Sequence, residues 1–291
     1  MLEKPNIQWF PGHMKKTERL IRQNLSQVDV VIELLDARIP NSSQNPFFQT
    51  LLAGKQRVLL LNKSDLADPT QTKLWIEAFA KAKLPALAIH CQSQSGVAKV
   101  SGFLQKQMSE LLKRRAARGM TGQVLRAMVV GIPNTGKSTF INQMAGRKCA
   151  RAENRPGVTQ TKQWVHIGQN IDLLDMPGTL WPKFDSPDAG LHLAYTGAIK
   201  DTVFDTELVA MHLLLFLSAH YPQQLVKQFH LSDLEKDPFL LLEAIGRSCG
   251  MLLRGNEVDT QRASVMLLDK FRSGKLGRIT LELQENVNDA L

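Results

Sequence analysis

The sequence predicts an α/β domain built on a mostly parallel sheet, followed by a mainly helical domain. Three observations carry this expectation. Short apolar runs alternate with helix-period stretches over the first two thirds of the chain. Short polar and glycine-bearing motifs fall at the carboxyl ends of those runs, where open α/β sheets bind ligands. After Pro187 the strand signal gives way to apolar residues at helical spacing.

Taken in order, Val28 to Leu35 reads as a buried strand ending at Asp36, and Arg57 to Leu61 as a second ending at Asn62. Leu87 to Cys91 is a third and Leu125 to Gly131 a fourth. Trp164 to Ile167 and Ile171 to Asp175 read as two more, joined through Gly168-Gln169-Asn170, a hairpin signal. Helices fit Thr70 to Ala82, Val97 to Arg118 and Lys137 to Ala145. Beyond Pro187, helical spacing recurs over Thr206 to Ser218, Asp237 to Cys249 and Thr260 to Ser273. The expected division is 1–189 for the α/β domain and 190–291 for the helical one.

Composition narrows the class. A chain of 291 residues that is 43% hydrophobic and 22% charged suits a globular protein with one large or two modest cores. No apolar run is long enough to span a membrane, and Glu3 and Pro5 argue against a secretory signal at the start. Cys91, Cys149 and Cys249 form no CxxC pair and have no histidine at zinc-ligand spacing, so a reducing cytoplasm is the expected compartment. The net charge of +9 favours a polyanionic partner, RNA ahead of a membrane.

The segment Gly131-Ile132-Pro133-Asn134-Thr135-Gly136-Lys137-Ser138 fits GxxxxGK[ST] between a strand and a helix. Its glycines let backbone N–H groups of Asn134, Thr135, Gly136 and the following turn surround phosphates. Lys137 supplies charge to the β/γ oxygens, Ser138 a hydroxyl for Mg²⁺, and Thr139 the next turn of the helix N-terminus. Asn62-Lys63-Ser64-Asp65 has the form NKxD. A carboxylate at Asp65 can accept from the N1–H and 2-amino groups of guanine, a pair that adenine lacks, while Asn62 can bond base and phosphate loop and the Lys63 stem can cover the ring. Alone this motif is a plain turn as readily as a base reader; beside a phosphate loop it names GTP and GDP. Asp175-Met176-Pro177-Gly178 fits DxxG, with Asp175 toward Mg²⁺ and the Gly178 N–H toward the γ-phosphate. Thr159 offers a hydroxyl to Mg²⁺ and the γ-phosphate, with Thr161 competing for that role, and Cys91 ends its strand where backbone N–H groups could approach guanine O6.

The guanine motif precedes the phosphate loop, the reverse of ordinary small GTPases. The expectation is therefore a circularly permuted P-loop GTPase domain, whose segment after Gly178 leads straight into the helical domain.

The chain resembles the YlqF/RbgA family of circularly permuted GTPases. The residues that carry the resemblance are Trp9-Phe10-Pro11-Gly12-His13-Met14, Asp36-Ala37-Arg38-Ile39-Pro40, NKSD at 62–65, GIPNTGKS at 131–138, RPGVT at 155–159 and DMPGT at 175–179, with Val258-Asp259 and Gly274-Lys275-Leu276-Gly277-Arg278 in the second domain. The resemblance implies a cytoplasmic Ras-like domain, a helical RNA-binding domain, and GTPase activity stimulated by the large ribosomal subunit or its precursor through rRNA. Thr179-Leu180 follow Gly178 where many small GTPases put a water-orienting glutamine, and the resemblance implies His13 in its place; a packing histidine is the alternative. Asn134 matches the asparagine of K⁺-stimulated GTPases, with a loop-stabilising role as its alternative. Basic residues recur at Lys106, Lys113, Arg114, Arg115 and Arg118, and again at Arg247, Arg254, Arg262, Lys270, Arg272, Lys275 and Arg278. Two other functions use the same motifs. A GTP-dependent switch for a protein effector is disfavoured by the basic second domain; a GTP-binding module with little turnover is favoured by the missing glutamine.

Overall fold

The structure, a computed structural model, describes residues 2–3, 5, 7, 9, 12–120, 124–149, 162–184 and 186–284. They form two compact units. One comprises Phe10–Trp181 with Glu282–Leu291, the other Met1–Trp9 with Pro182–Leu281.

The first unit is built on a six-stranded sheet among the described residues. Its strands are β1 (Val30–Asp36), β2 (Gln56–Asn62), β3 (Ala86–Ala88), β4 (Leu125–Val130), β5 (Gln163–Ile167) and β6 (Ile171–Asp175), in the spatial order β3-β2-β1-β4-β6-β5. All neighbours run parallel except β5 against β6, which form the hairpin anticipated at Gly168. Parallel strands need cover on both faces, and β1 is buried at every position. Val30, Ile32 and Leu34 face one apolar layer with Val100, Leu104, Phe140 and Ile141, while Val31 faces a second with Ile21 and Phe48.

The helices of this unit are α1 (His13–Asn24), α2 (Phe47–Leu51), α3 (Pro69–Lys81), α4 (Val100–Gln107), α5 (Ser109–Ala117) and α6 (Lys137–Ala145). Asp68 caps α3 by accepting from the N–H groups of Thr70 and Gln71, with Pro69 in the first turn. The single helix expected over 97–118 is instead two. Met108 leaves helical dihedrals at φ −99° and ψ 10° while its side chain stays buried in the core. The third strand is shorter than expected and stops at Ala88, so Ile89–Cys91 continue beyond the sheet.

The strand order reverses between β1 and β4. From β1 the chain builds outward through β2 to β3, and from β4 toward β6 and β5. Loops leaving adjacent strands in opposite directions open a crevice at their carboxyl ends, which is where such sheets hold ligands.

The second unit holds α7 (Pro187–Tyr195), α8 (Thr206–His220), α9 (Pro222–Phe229), α10 (Pro238–Ser248) and α11 (Thr260–Arg272). The apolar helix α8 is its centre, packed by α7, α9, α10 and α11. Ser186, Asp205, Asp237 and Asp259 cap α7, α8, α10 and α11 in turn. The N-terminal segment belongs here: Ile7 is buried beside Gly190, and the Glu3 carbonyl lies 3.0 Å from His212 Nε2. No helix among the described residues is long and apolar enough to cross a membrane.

Candidate functional site

Four segments leave the carboxyl ends of β1, β2, β4 and β6 and converge at the reversal point. The segment 131–136 joins β4 to α6 with Asn134 at φ 60° and Gly136 at φ 92°, both in the left-handed region. A side chain at Gly136 would be strained by that φ and would also run into the Asn62 amide. The close approach has a purpose, since Asn62 Nδ2 donates to the Thr135 carbonyl at 2.7 Å. Lys63 Nζ donates to the Asn134 carbonyl at 2.7 Å. The guanine motif and the phosphate loop, far apart in sequence, are thus bonded directly to each other. Thr135 turns its hydroxyl to the Ile132 carbonyl and is buried, so its side chain braces the loop and only its backbone is available to a ligand.

Lys137 opens α6 and is buried. Its ammonium donates to the Gly131 carbonyl at 3.1 Å and the Ile132 carbonyl at 2.6 Å. Burial depresses it to about 8, with Asp175 opposing. Asp175, at the end of β6, is pushed by burial up to about 6 against the pull of Lys137. One oxygen of Asp175, Oδ1, is buried without a hydrogen-bond partner, as is Oδ1 of Asn62. Such groups cost stability unless something else meets them. Asn62 ends β2 and Asp175 ends β6, at the crevice, so the unmet acceptors fit a cation beside Asp175 and a donor beside Asn62. Ser138 is half-buried and Thr139 exposed in the first turn of α6.

Gly178 lies against the same lysine. A Cβ there would sit 2.9 Å from Lys137 Nζ and 3.1 Å from the Pro133 nitrogen. The next residue, Thr179, donates its N–H to the Gly131 carbonyl at 3.3 Å. Thr179 turns its hydroxyl to the Leu180 carbonyl at 3.1 Å and Leu180 is apolar, so neither offers a side-chain amide to orient a phosphate-bound water. The Leu180 N–H points to Met14 Sδ at 3.2 Å, which seats the first turn of α1 against the segment after Gly178. His13 precedes Met14; its side chain, like Thr159 and Thr161, lies outside the described residues.

On the guanine side, Ser64 donates through both its N–H and its hydroxyl to the Ile89 carbonyl, at 3.1 and 2.8 Å, which draws the 89–91 segment to the motif. Cys91 is buried, and burial, with Asp65 nearby, pushes its thiol up to about 12. It is neutral there, and its contribution is packing and backbone. Asp65 is half-buried at the mouth.

Sequence reasoning gave Asp36 and Arg38 no role beyond a resemblance and left out Asn45, and these residues hold the arrangement. Asp36 ends β1, fully enclosed; it accepts from Lys63 Nζ at 3.0 Å and from Arg38 Nε and a terminal guanidinium nitrogen at 2.9 and 2.8 Å. Burial alone would raise the Asp36 carboxyl, but Arg38 and Lys63 outweigh it and hold it well below the usual range. Asn45 donates from Nδ2 to the Thr179 carbonyl at 3.3 Å and from its N–H to buried Glu33 at 3.3 Å. The signal for them was the cluster Asp36-Ala37-Arg38, two opposite charges at the end of a strand whose one other charge is Glu33.

Strands, crevice and converging motifs define a P-loop GTPase domain in circularly permuted order. A family model described as "50S ribosome-binding GTPase" matches residues 126–243, beginning in the strand that enters the phosphate loop and leaving out Asn62–Asp65, which come earlier in this chain. "Ribosome biogenesis GTPase A" of Bacillus cereus is 41% identical over 97% of this chain and 96% of its own length. The protein of the same name from Priestia megaterium is 43% identical over 95% and 96%. Among solved structures, the GNP-bound YlqF from T. maritima is similar with a TM-score of 0.63 and 25% identity over 94% of this chain and all of its own, and a GDP-bound YlqF with 0.64, 27% and 92%. The chain belongs to the ribosome biogenesis GTPase A family. It is a GTPase, and guanine nucleotides are its ligands.

Proposed function

We propose that this GTPase engages the large ribosomal subunit or its precursor, through rRNA, and hydrolyses GTP in that complex during late subunit assembly in the cytoplasm. The observation that carries the nucleotide chemistry is the convergence of Lys137, Gly178, Asp175 and Asn62 at the sheet's reversal point. In this reading Asp65 accepts from guanine, Asn62 offers its unmet Oδ1, and the Lys63 stem covers the base. Phosphate oxygens take the Lys137 ammonium from the carbonyls of Gly131 and Ile132, and the loop N–H groups from Asn134 to Thr139 surround the rest. Gly178 N–H bonds the γ-phosphate. Ser138, Thr159 and Asp175 would hold Mg²⁺, which when bound neutralises charge developing on the phosphates. Asn134 would favour K⁺, testable by exchanging K⁺ for Na⁺ in the hydrolysis assay.

Thr179 and Leu180 leave water orientation to another group, and the seat of Met14 against Leu180 supports His13 in that role. The same lack of an amide supports low turnover in the isolated protein. Stimulation would then come from the particle directing His13 toward the γ-phosphate.

The partner reading rests on charge. Arg247, Arg254, Arg262, Lys275 and Arg278 are exposed on the helical unit, as expected of a phosphate-binding face. Arg272 is not part of it: its guanidinium is committed to Asp201 at 2.6 and 2.8 Å and to the carbonyls of Ala194 and Tyr195. Arg115 is likewise tied to Asp29. The test is co-sedimentation with purified subunits in a GTP analogue and in GDP, paired with single-turnover hydrolysis. Analogue-dependent, salt-sensitive binding and a faster turnover are expected. Equal turnover with and without subunits, and no co-sedimentation, overturns the proposal.

A further inference from the structure

After Leu281 the chain leaves the helical unit, and Glu282 to Gln284 lie on the α/β unit. The Glu282 carboxylate accepts the N–H of Asn41 at 2.5 Å, the N–H of Ser42 at 2.8 Å and the Ser42 hydroxyl. Its carbonyl accepts Trp75 Nε1–H at 2.8 Å. Gln284 and Gln71 pair through N–H to Oε1 at 2.7 Å and Nε2 to carbonyl at 3.4 Å. Glu282 and Gln284 therefore grip both elements that flank the guanine motif: the loop after β1, and α3 just beyond Asp65.

The grip on the loop leads inward. Ser43, next to Ser42 and fully buried, accepts the Asp36 N–H at 3.1 Å. The Asp36 carboxylate holds Lys63 Nζ, which holds the Asn134 carbonyl of the phosphate loop. An unbroken run of polar contacts thus joins Glu282 to Lys63 and the phosphate loop. Ser42, Ser43 and Asp36 in its middle are buried, and a buried charge-assisted bond is expensive to leave half made.

We propose that Glu282–Gln284 is a clasp that sets the guanine site, with Glu282 a positioning residue for Asn62–Asp65. The proposal rests on the assignment of guanine to Asp65. The clasp follows the helical unit in the chain without a linker. A partner that binds that unit and draws Leu281 outward would loosen the grip on the base, which couples particle engagement to release of GDP.

The test uses the full chain and compares GDP with inosine diphosphate, which lacks the 2-amino group. Glu282→Ala should weaken GDP roughly tenfold. It should weaken inosine diphosphate less, so the preference for GDP falls. Wild-type GDP affinity overturns the clasp, and so does an equal loss for both nucleotides, which marks a merely structural residue. Asp65→Asn separates the two assignments. If it keeps the wild-type preference, the guanine assignment falls and the clasp with it; if it loses the preference while Glu282→Ala keeps it, the clasp alone falls. Should Glu282→Ala not fold, Ser42→Ala removes the hydroxyl contact to Glu282 and should shift the preference in the same direction by less, no shift overturning the clasp.

Discussion

Glu33 sits in the middle of β1, paired in register with Leu59 and Val130, and has no exposed surface. Its Oε1 accepts the Asn45 N–H at 3.3 Å, and its Oε2, 3.7 Å from Arg57 Nε, has no hydrogen bond. Burial pushes the carboxyl from 4.5 up to about 7, with Arg57 and the Asn45 N–H pulling the other way. A folded-state value above the unfolded one means the native protein favours the protonated form. Stability from this group is then fully present below about 4.5 and is lost as pH rises through about 7. Over that window ionised Glu33 costs about 3 kcal/mol. Glu33→Gln carries no charge and has no such loss. The unfolding free energy of the variant minus that of the wild type should therefore rise by about 3 kcal/mol between pH 4.5 and pH 8. A constant penalty, such as a poorer fit of the amide beside Arg57, cancels in that difference. Urea unfolding at stepped pH, followed by the fluorescence of Trp75 and Trp164 in the α/β unit, supplies the numbers. A difference that stays flat across the window refutes the reasoning. Asn45, which also holds the Thr179 carbonyl, ties this carboxyl to the segment after Gly178, so GTP turnover is worth recording along the same series.

Lys137→Ala should cut GTP turnover by about 10²–10³. Because the ammonium is buried on two carbonyls, it should also cost about 1–3 kcal/mol of stability, and a variant with normal turnover would remove this loop from the phosphate site. His13→Ala should lower subunit-stimulated single-turnover hydrolysis by about 10²–10⁴ while GTP affinity holds; an unchanged stimulated rate makes His13 structural. Reversing Arg254, Arg262 and Lys275 to Glu should weaken subunit binding and flatten its salt dependence. Arg272→Glu should instead lower the melting temperature of the helical unit, losing bonds to Asp201 and two carbonyls; equal particle binding by the triple variant would sink the RNA reading.

The sequence by itself determined the class of the molecule. A phosphate loop, a base-reading carboxylate and DxxG each need particular residues within a few positions of one another, and such local chemistry is written in the chain regardless of fold. Their order made the permutation legible, and the alternation of strands and helices made the sheet legible. Helix α1 does carry a legible pattern: it buries Met14, Thr17, Ile21 and Asn24 and turns Lys15, Lys16, Arg19 and Arg22 outward, so apolar and charged residues separate at helical period. Helix α7 escaped because Pro187 reads as a breaker, though at a first helical position its missing N–H costs nothing.

What tertiary structure decided is which charges are for function and which are for holding the fold. Arg254 and Arg272 look alike in a basic helical stretch, but one is exposed and the other is bonded into the end of α7. Lys137 reads as a free ligand for phosphate and is a buried ammonium resting on its own loop. Ser43 and Glu282 carry no local signature, and the motif around Asp36 does not say what its carboxylate holds. Their meaning arises only when strand β1, the loop after it and the end of the chain meet beside Lys63. A hydrogen-bond network spanning residues 36 to 282 is a property of distances in space, and no window of sequence contains it.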